Sequence, residues 1–120
     1  TLDATIERWF TPEFRSRHGD FIEQVRAWVL ANDPAVYALC RRVLAFGVVE
    51  LIRPQPPIEH PTLVMTCEHD SGSTPAMSLA IASEISGAEV IIVPGLKHMG
   101  LCENSSFFIN ALSEFMEAVT

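Results

Sequence analysis

Cysteine is scarce in this chain and odd in number: Cys40, Cys67 and Cys102, with no repeated spacing. Such a set suits free, mostly buried thiols in a reducing, cytoplasmic setting better than a disulfide framework. Positive charge is short as well. Eight Lys and Arg stand against fifteen Asp and Glu, for a net charge of −7 and a pI near 4.9. That balance argues against a nucleic-acid partner or an anionic membrane surface. No apolar run approaches the roughly 20 residues of a membrane span. His60, Cys67, His69 and Asp70 cluster in sequence, but adjacent strand residues point to opposite faces, and no second ligand pair is spaced as in a zinc site. No metal and no cofactor is implied. Finally, there is no initial Met and no signal peptide. The chain opens at Thr1 inside a helical pattern, so the absence of a targeting segment carries no weight.

What is present fits at most one ordinary domain. The 120 residues are 48% hydrophobic and 19% charged, which suits a packed core rather than disorder. The first third reads as helices. Leu2, Ile6, Trp9 and Phe10 recur at helical spacing until Thr11-Pro12 ends the run. Asp20 and Glu23 have the form of a capping box ahead of Phe21, Ile22, Val25, Trp28 and Val29. Asp33-Pro34 then reads as cap and first residue of a helix carrying Val36, Tyr37, Cys40, Val43 and Leu44, closed near Gly47. Four prolines between Arg53 and Pro61 mark the clearest break in composition. They divide the chain into a helical segment, 1–57, and an αβ segment, 58–120.

The second segment is organised around Pro61 to Asp70. Thr62 to Cys67 is a run of β-formers set off by Pro61 and stopped by Glu68-His69-Asp70, the pattern of a strand buried on both faces. Thr74-Pro75 opens a helix with the stripe Met77, Ala80, Ile81 and Ile85, and Gly87 closes it. Ala88 to Val93 is a second strand, cut off by Pro94-Gly95. A last helix bears Phe107, Phe108, Ala111, Leu112, Phe115, Met116 and Val119. The fold class is therefore α/β: two parallel strands with flanking helices, preceded by a helical segment. Two fully apolar strands cannot satisfy their outer edges alone. The expectation is a fragment of a larger sheet.

These motifs resemble a known family. "TLVMTCEHDSGSTPAMSLAIASEISGAEVIIVPGLKHM" is similar to the last two βα units of the α/β-hydrolase fold, in which an acid ends one strand and G-x-x-H follows the last. The matching positions are Asp70, Thr74-Pro75 and Gly95-Leu96-Lys97-His98. "RWFTPEFR" and "DPAVYALCRRVL" resemble the helical cap of the 3-oxoadipate enol-lactonase group. The resemblance implies a Ser-Asp-His triad and hydrolysis of a small ester or lactone, with Asp70 and His98 as catalytic acid and base. Trp9, within the shared R-W-F-T-P string, is with Tyr37 and Met99 a candidate for the substrate pocket; for Trp9, Tyr37 and Trp28 alike, packing between the cap helices is the equal alternative. The sequence departs from the pattern at Thr66-Cys67, at Ser105 and in "AFGVVELIR", and the last of these bears on the substrate.

The residue chemistry agrees with that assignment. An imidazole with an unperturbed pKa near 6.5 serves as a base at neutral pH. A buried carboxylate on its far nitrogen fixes the tautomer, and its loss costs on the order of 10⁴ in turnover. The nucleophile is missing, because none of the six glycines has a serine two positions later, so no G-x-S-x-G elbow exists. Ser71 and Ser73 lack the elbow context and read as loop residues. Alone, the chain is expected to be inactive. Its expected partners are an N-terminal half of the same hydrolase, or a second copy of itself, and a small ester or lactone. Rival readings on the same residues are C–C bond hydrolysis, a cofactor-free haloperoxidase and a non-catalytic ligand-binding protein.

Overall fold

The computed structural model describes all 120 residues. Four helices come first: α1 (Leu2–Trp9), α2 (Pro12–Arg17), α3 (Gly19–Leu30) and α4 (Pro34–Phe46). Strand β1 (Leu63–Cys67), helix α5 (Pro75–Glu84) and strand β2 (Glu89–Val93) follow, then the short α6 (Gly100–Glu103) and α7 (Ser105–Val119). The helix starts share one device. Thr11-Pro12, Asp33-Pro34 and Thr74-Pro75 each place a capping side chain before a proline that has no N–H to satisfy. Asp33 does this most fully, its carboxylate accepting from the Ala35 and Val36 N–H groups at 2.8 and 3.0 Å.

Several expectations shift. Thr11-Pro12 ends α1 as read, but it also opens α2, which the periodicity did not reveal. The capping box at Asp20 does not form. Helix α3 starts two residues earlier than that cap implies, at Gly19, without a side-chain cap, and Glu23 pairs with Arg26 at 3.3 Å instead. Gly47 does end α4, yet with φ of −74° it leads into a 3-10 turn, Gly47–Leu51, rather than a left-handed stop. Gly87, with φ of +76°, lies in the reversal between α5 and β2, where a residue without Cβ turns at little cost. Cysteine burial differs too. Only Cys67 is buried, while Cys40 on α4 and Cys102 on α6 are exposed.

The two strands pair in parallel, from Leu63 opposite Glu89 to Cys67 opposite Val93, with α5 as the crossover. The pairing continues past β1, where the Glu68 N–H donates to the Val93 carbonyl at 2.8 Å. Burial on both faces is not complete. Leu63, Val64 and Met65 are half-buried, and Ile92 is exposed. The stripe proposed for α5 is likewise open: Met77 and Ile81 face solvent, and Ser78 and Ile85 are the buried residues. On α7 only Phe108 is buried. A parallel sheet needs covering helices on both faces and neighbours on both edges, and two strands cannot supply them. These are the elements of part of a larger sheet.

Two small cores form. Ile6, Phe10, Ile22 and Val25 make one among α1 and α3, with Trp9, Phe14, Phe21 and Met99 around it. Cys67, Val93 and Phe108 make the other beneath the sheet. No helix is long and apolar enough to cross a membrane.

Gly100 sits where β1 meets α6. A Cβ added there would fall within 2.4 Å of Cys67 Sγ and 3.0 Å of Leu96 Cβ. Overpacking of this kind costs typically about 1–3 kcal/mol, more than the roughly 1 kcal/mol that Ala gains over Gly in a helix. Gly100→Ala should therefore lower stability in urea denaturation, and adding Cys67→Ala should restore most of the loss. An equal loss in both variants would reject the contact as its cause.

Candidate active site

Asp70 and His98 come together because their strands are neighbours and end at the same level. Each follows a strand by a few residues, and the two loops are stitched to each other. The Gly95 N–H donates to Glu68 Oε2 at 2.8 Å, and the His69 N–H donates to the Leu96 carbonyl at 2.9 Å. Gly95 adopts φ of +71°, which turns the chain back over the strand end. The result brings His98 Nδ1 to 2.8 Å from Asp70 Oδ2.

Asp70 is 7% exposed, and its second oxygen is fully used: Oδ1 accepts from the Gly72 and Ser73 N–H groups at 2.8 and 2.9 Å. Burial pushes its carboxyl upward. The bonds from the Ser73 N–H, the His98 ring and the Gly72 N–H, with the His98 charge, together outweigh burial and hold it below the usual value. A carboxylate facing Nδ1 places the imidazole proton there and leaves Nε2 as the basic nitrogen. Nε2 has no hydrogen-bond partner within the chain, and the His98 side chain is 38% exposed. No hydroxyl or thiol of the 120 residues bonds to it. The Ser73 backbone is tied into the loop, its N–H donating to Asp70 Oδ1 and its carbonyl accepting from Thr66 Oγ1 at 2.7 Å.

Of the other named residues, only Trp9 meets His98 through its side chain, and Met99 is tied to Trp9 through its backbone. The Trp9 indole stacks on the imidazole with centroids 6.1 Å apart and planes 30° apart. Met99 donates its N–H to the Trp9 carbonyl at 2.9 Å, and its side chain packs on the Ile6 and Phe10 core. Tyr37 is not brought there. It lies on α4, 44% exposed, and stacks on no other aromatic ring, because α4 projects from the α1–α3 core instead of closing over it. Trp28 is also exposed, edge-on to Phe21 at 6.3 Å. No three His, Cys, Asp or Glu side chains converge as metal ligands; the His69 ring faces Glu68 at 3.8 Å instead. A groove of about 650 Å³ runs between α2 and the post-strand loops, past His18, His69 and Lys97, without including His98 or Asp70.

Sequence reasoning missed three residues that hold this arrangement: Glu68, Lys97 and Glu103. Glu68 and Gly95 are 27 positions apart, and Glu103 binds Thr11 across 92. Nothing local signals such pairs.

Parallel strands crossed over by α5, with an acid after one and a histidine after the next, define the C-terminal portion of the α/β-hydrolase fold. The solved structures agree. The enol-lactonase from Burkholderia xenovorans superposes with a TM-score of 0.83 at 28% identity, over 97% of this chain and 44% of its own. A hydrolase from Pseudomonas aeruginosa superposes at 0.68 and 24% identity, over 96% and 42%, and speaks to the fold alone. The chain thus spans less than half the length of either. No family model matches the sequence, and no curated protein matches it closely.

The lowered Asp70 value fixes a pH dependence. A carboxyl that ionises more readily folded than unfolded stabilises the fold fully above its unfolded value, near 3.9, and loses that contribution as pH falls through the folded value. The stability difference between the wild-type chain and Asp70→Asn should therefore be constant near neutrality and shrink below about pH 4. Urea titrations across that range test it, and a difference that stays constant throughout would show that Asp70 is not held ionised.

Proposed function

We propose that this chain supplies the acid and base of a serine hydrolase that cleaves a small ester or lactone. The observation that carries the reading is the 2.8 Å contact between Asp70 and His98 at the carboxyl ends of adjacent parallel strands. Likeness to an enol-lactonase at a TM-score of 0.83 supports the substrate class. In this reading residues 1–57 are the cap segment and 58–120 the last βα units of the catalytic core. His98 Nε2 takes the proton of an attacking serine and returns it to the leaving alkoxide. Asp70 orients the ring and stabilises the imidazolium that forms. The serine and the oxyanion donors come from residues outside these 120, on strands that pair with the open edge of the sheet. The 120 residues alone are then inactive. Burial raises the Cys67 thiol, which keeps it protonated.

The test supplies the missing half. Assembled with an upstream segment bearing a G-x-S-x-G elbow, the protein should be labelled by a fluorophosphonate and should hydrolyse aryl esters and enol lactones. Asp70→Asn and His98→Ala should each lower kcat by about 10³- to 10⁴-fold. Undiminished hydrolysis in His98→Ala would reject the assignment. Turnover of diketones in place of esters would move the reaction to C–C cleavage. Binding without turnover would make the site a receptor pocket.

A further inference from the structure

Three tethers cross from residues 97–103 to residues 7–11, and they bracket His98. Lys97 Nζ donates to the Glu7 carbonyl at 2.6 Å, and the Met99 N–H donates to the Trp9 carbonyl at 2.9 Å. The third is the strongest in kind. The Glu103 carboxylate accepts both from the Thr11 N–H at 2.8 Å and from Thr11 Oγ1 at 2.5 Å. Two bonds to a charged acceptor, partly buried, are roughly twice as strong as neutral ones. They fall on the corner between α1 and α2, where Thr11 also accepts from the Phe14 N–H as the cap of α2.

Trp9 lies two residues before that corner, and its indole lies beside the imidazole, offset, with ring centroids 6.1 Å apart. His98 has only one other side-chain restraint, the Nδ1 contact with Asp70, and its side chain is 38% exposed. A single hydrogen bond leaves the ring free to tilt about it. The indole limits tilt toward its own side, provided that the corner carrying it cannot move.

We propose that Glu103 is a positioning residue: by clamping Thr11 it holds Trp9 against His98 and so sets the direction of Nε2. The proposal rests on the reading of His98 as the base. Glu103 touches neither the imidazole nor any reacting atom. Removing its carboxylate leaves the Lys97 and Met99 tethers and the Ile6–Phe10 core in place, so the fold should persist.

The first test is spectroscopic and needs no turnover. In the 120-residue chain, the Trp9 ring current should shift the His98 ring protons, with nuclear Overhauser contacts between the two rings. Glu103→Ala should abolish most of that shift. Glu103→Gln should retain it, because its carbonyl accepts from the Thr11 N–H and its amide donates to Thr11 Oγ1. In the assembled enzyme, Glu103→Ala should lower kcat about 10- to 100-fold, the cost of a small misplacement. KM should change by less than about threefold, with recovery in the Gln variant. If circular dichroism shows Glu103→Ala unfolded, Glu103→Asp decides, since its shorter carboxylate should lose the shift that Gln keeps. An unchanged ring-current shift in the folded Ala or Asp variant overturns the proposal, as does equal loss in Gln. A shift that collapses as expected in a protein that hydrolyses nothing leaves the clamp standing and rejects the reaction instead.

Discussion

Two five-residue strands lie side by side with Cys67 opposite Val93, and both leave the sheet at the same level. Parallel pairing has this consequence wherever it occurs: residues just beyond adjacent strands emerge on one edge, however far apart they lie in sequence. Here it brings a buried acid and a histidine within hydrogen-bond reach across 28 positions. The Glu68 carboxylate on the Gly95 N–H and the Leu96 carbonyl on the His69 N–H then lock the two loops at a fixed separation. Without that register Asp70 would be a loop-capping carboxylate and His98 an exposed imidazole.

The same pairing explains what the chain leaves open. Twelve of its 120 residues are buried, while Leu112, Met116, Val43, Leu44 and Phe46 remain exposed. Each such side chain gains roughly 1.5–3 kcal/mol when fully covered, so the uncovered faces of α4, α5 and α7 represent a large unrealised term. They surround a sheet with two unpaired edges, and the solved structures that it resembles are more than twice as long. The completed site and the completed core are therefore one physical problem, since strands added to the edge would cover the apolar faces as well.

Legibility followed the range of the interactions. Strands β1 and β2 were read to within a residue, because an apolar run between proline and polar residues leaves few alternatives. The Asp33 and Thr74 starts obey rules that span three or four residues. The capping box at Asp20 does not form: α3 already begins at Gly19, and Phe21 in its first turn packs edge-on against Phe10 and Phe14, contacts that local propensity does not encode. The pocket role of Tyr37 finds no support in its position, for helical periodicity gives a face but not what that face meets. Trp9 stands at His98 through the Met99 and Thr11 bonds, neither of which has a local signature.

By itself, then, the sequence determined the α/β alternation, the strand ends and the residue types available there: an acid, a histidine and no elbow serine. Those properties depend on neighbours within a turn or a strand length, where backbone sterics and hydrogen-bond supply leave few options. Only the tertiary structure decided the register of β1 on β2, the stacking of Trp9 on His98 and the clamp of Glu103 on Thr11. Each joins residues tens of positions apart, and their meeting is set by how whole elements pack.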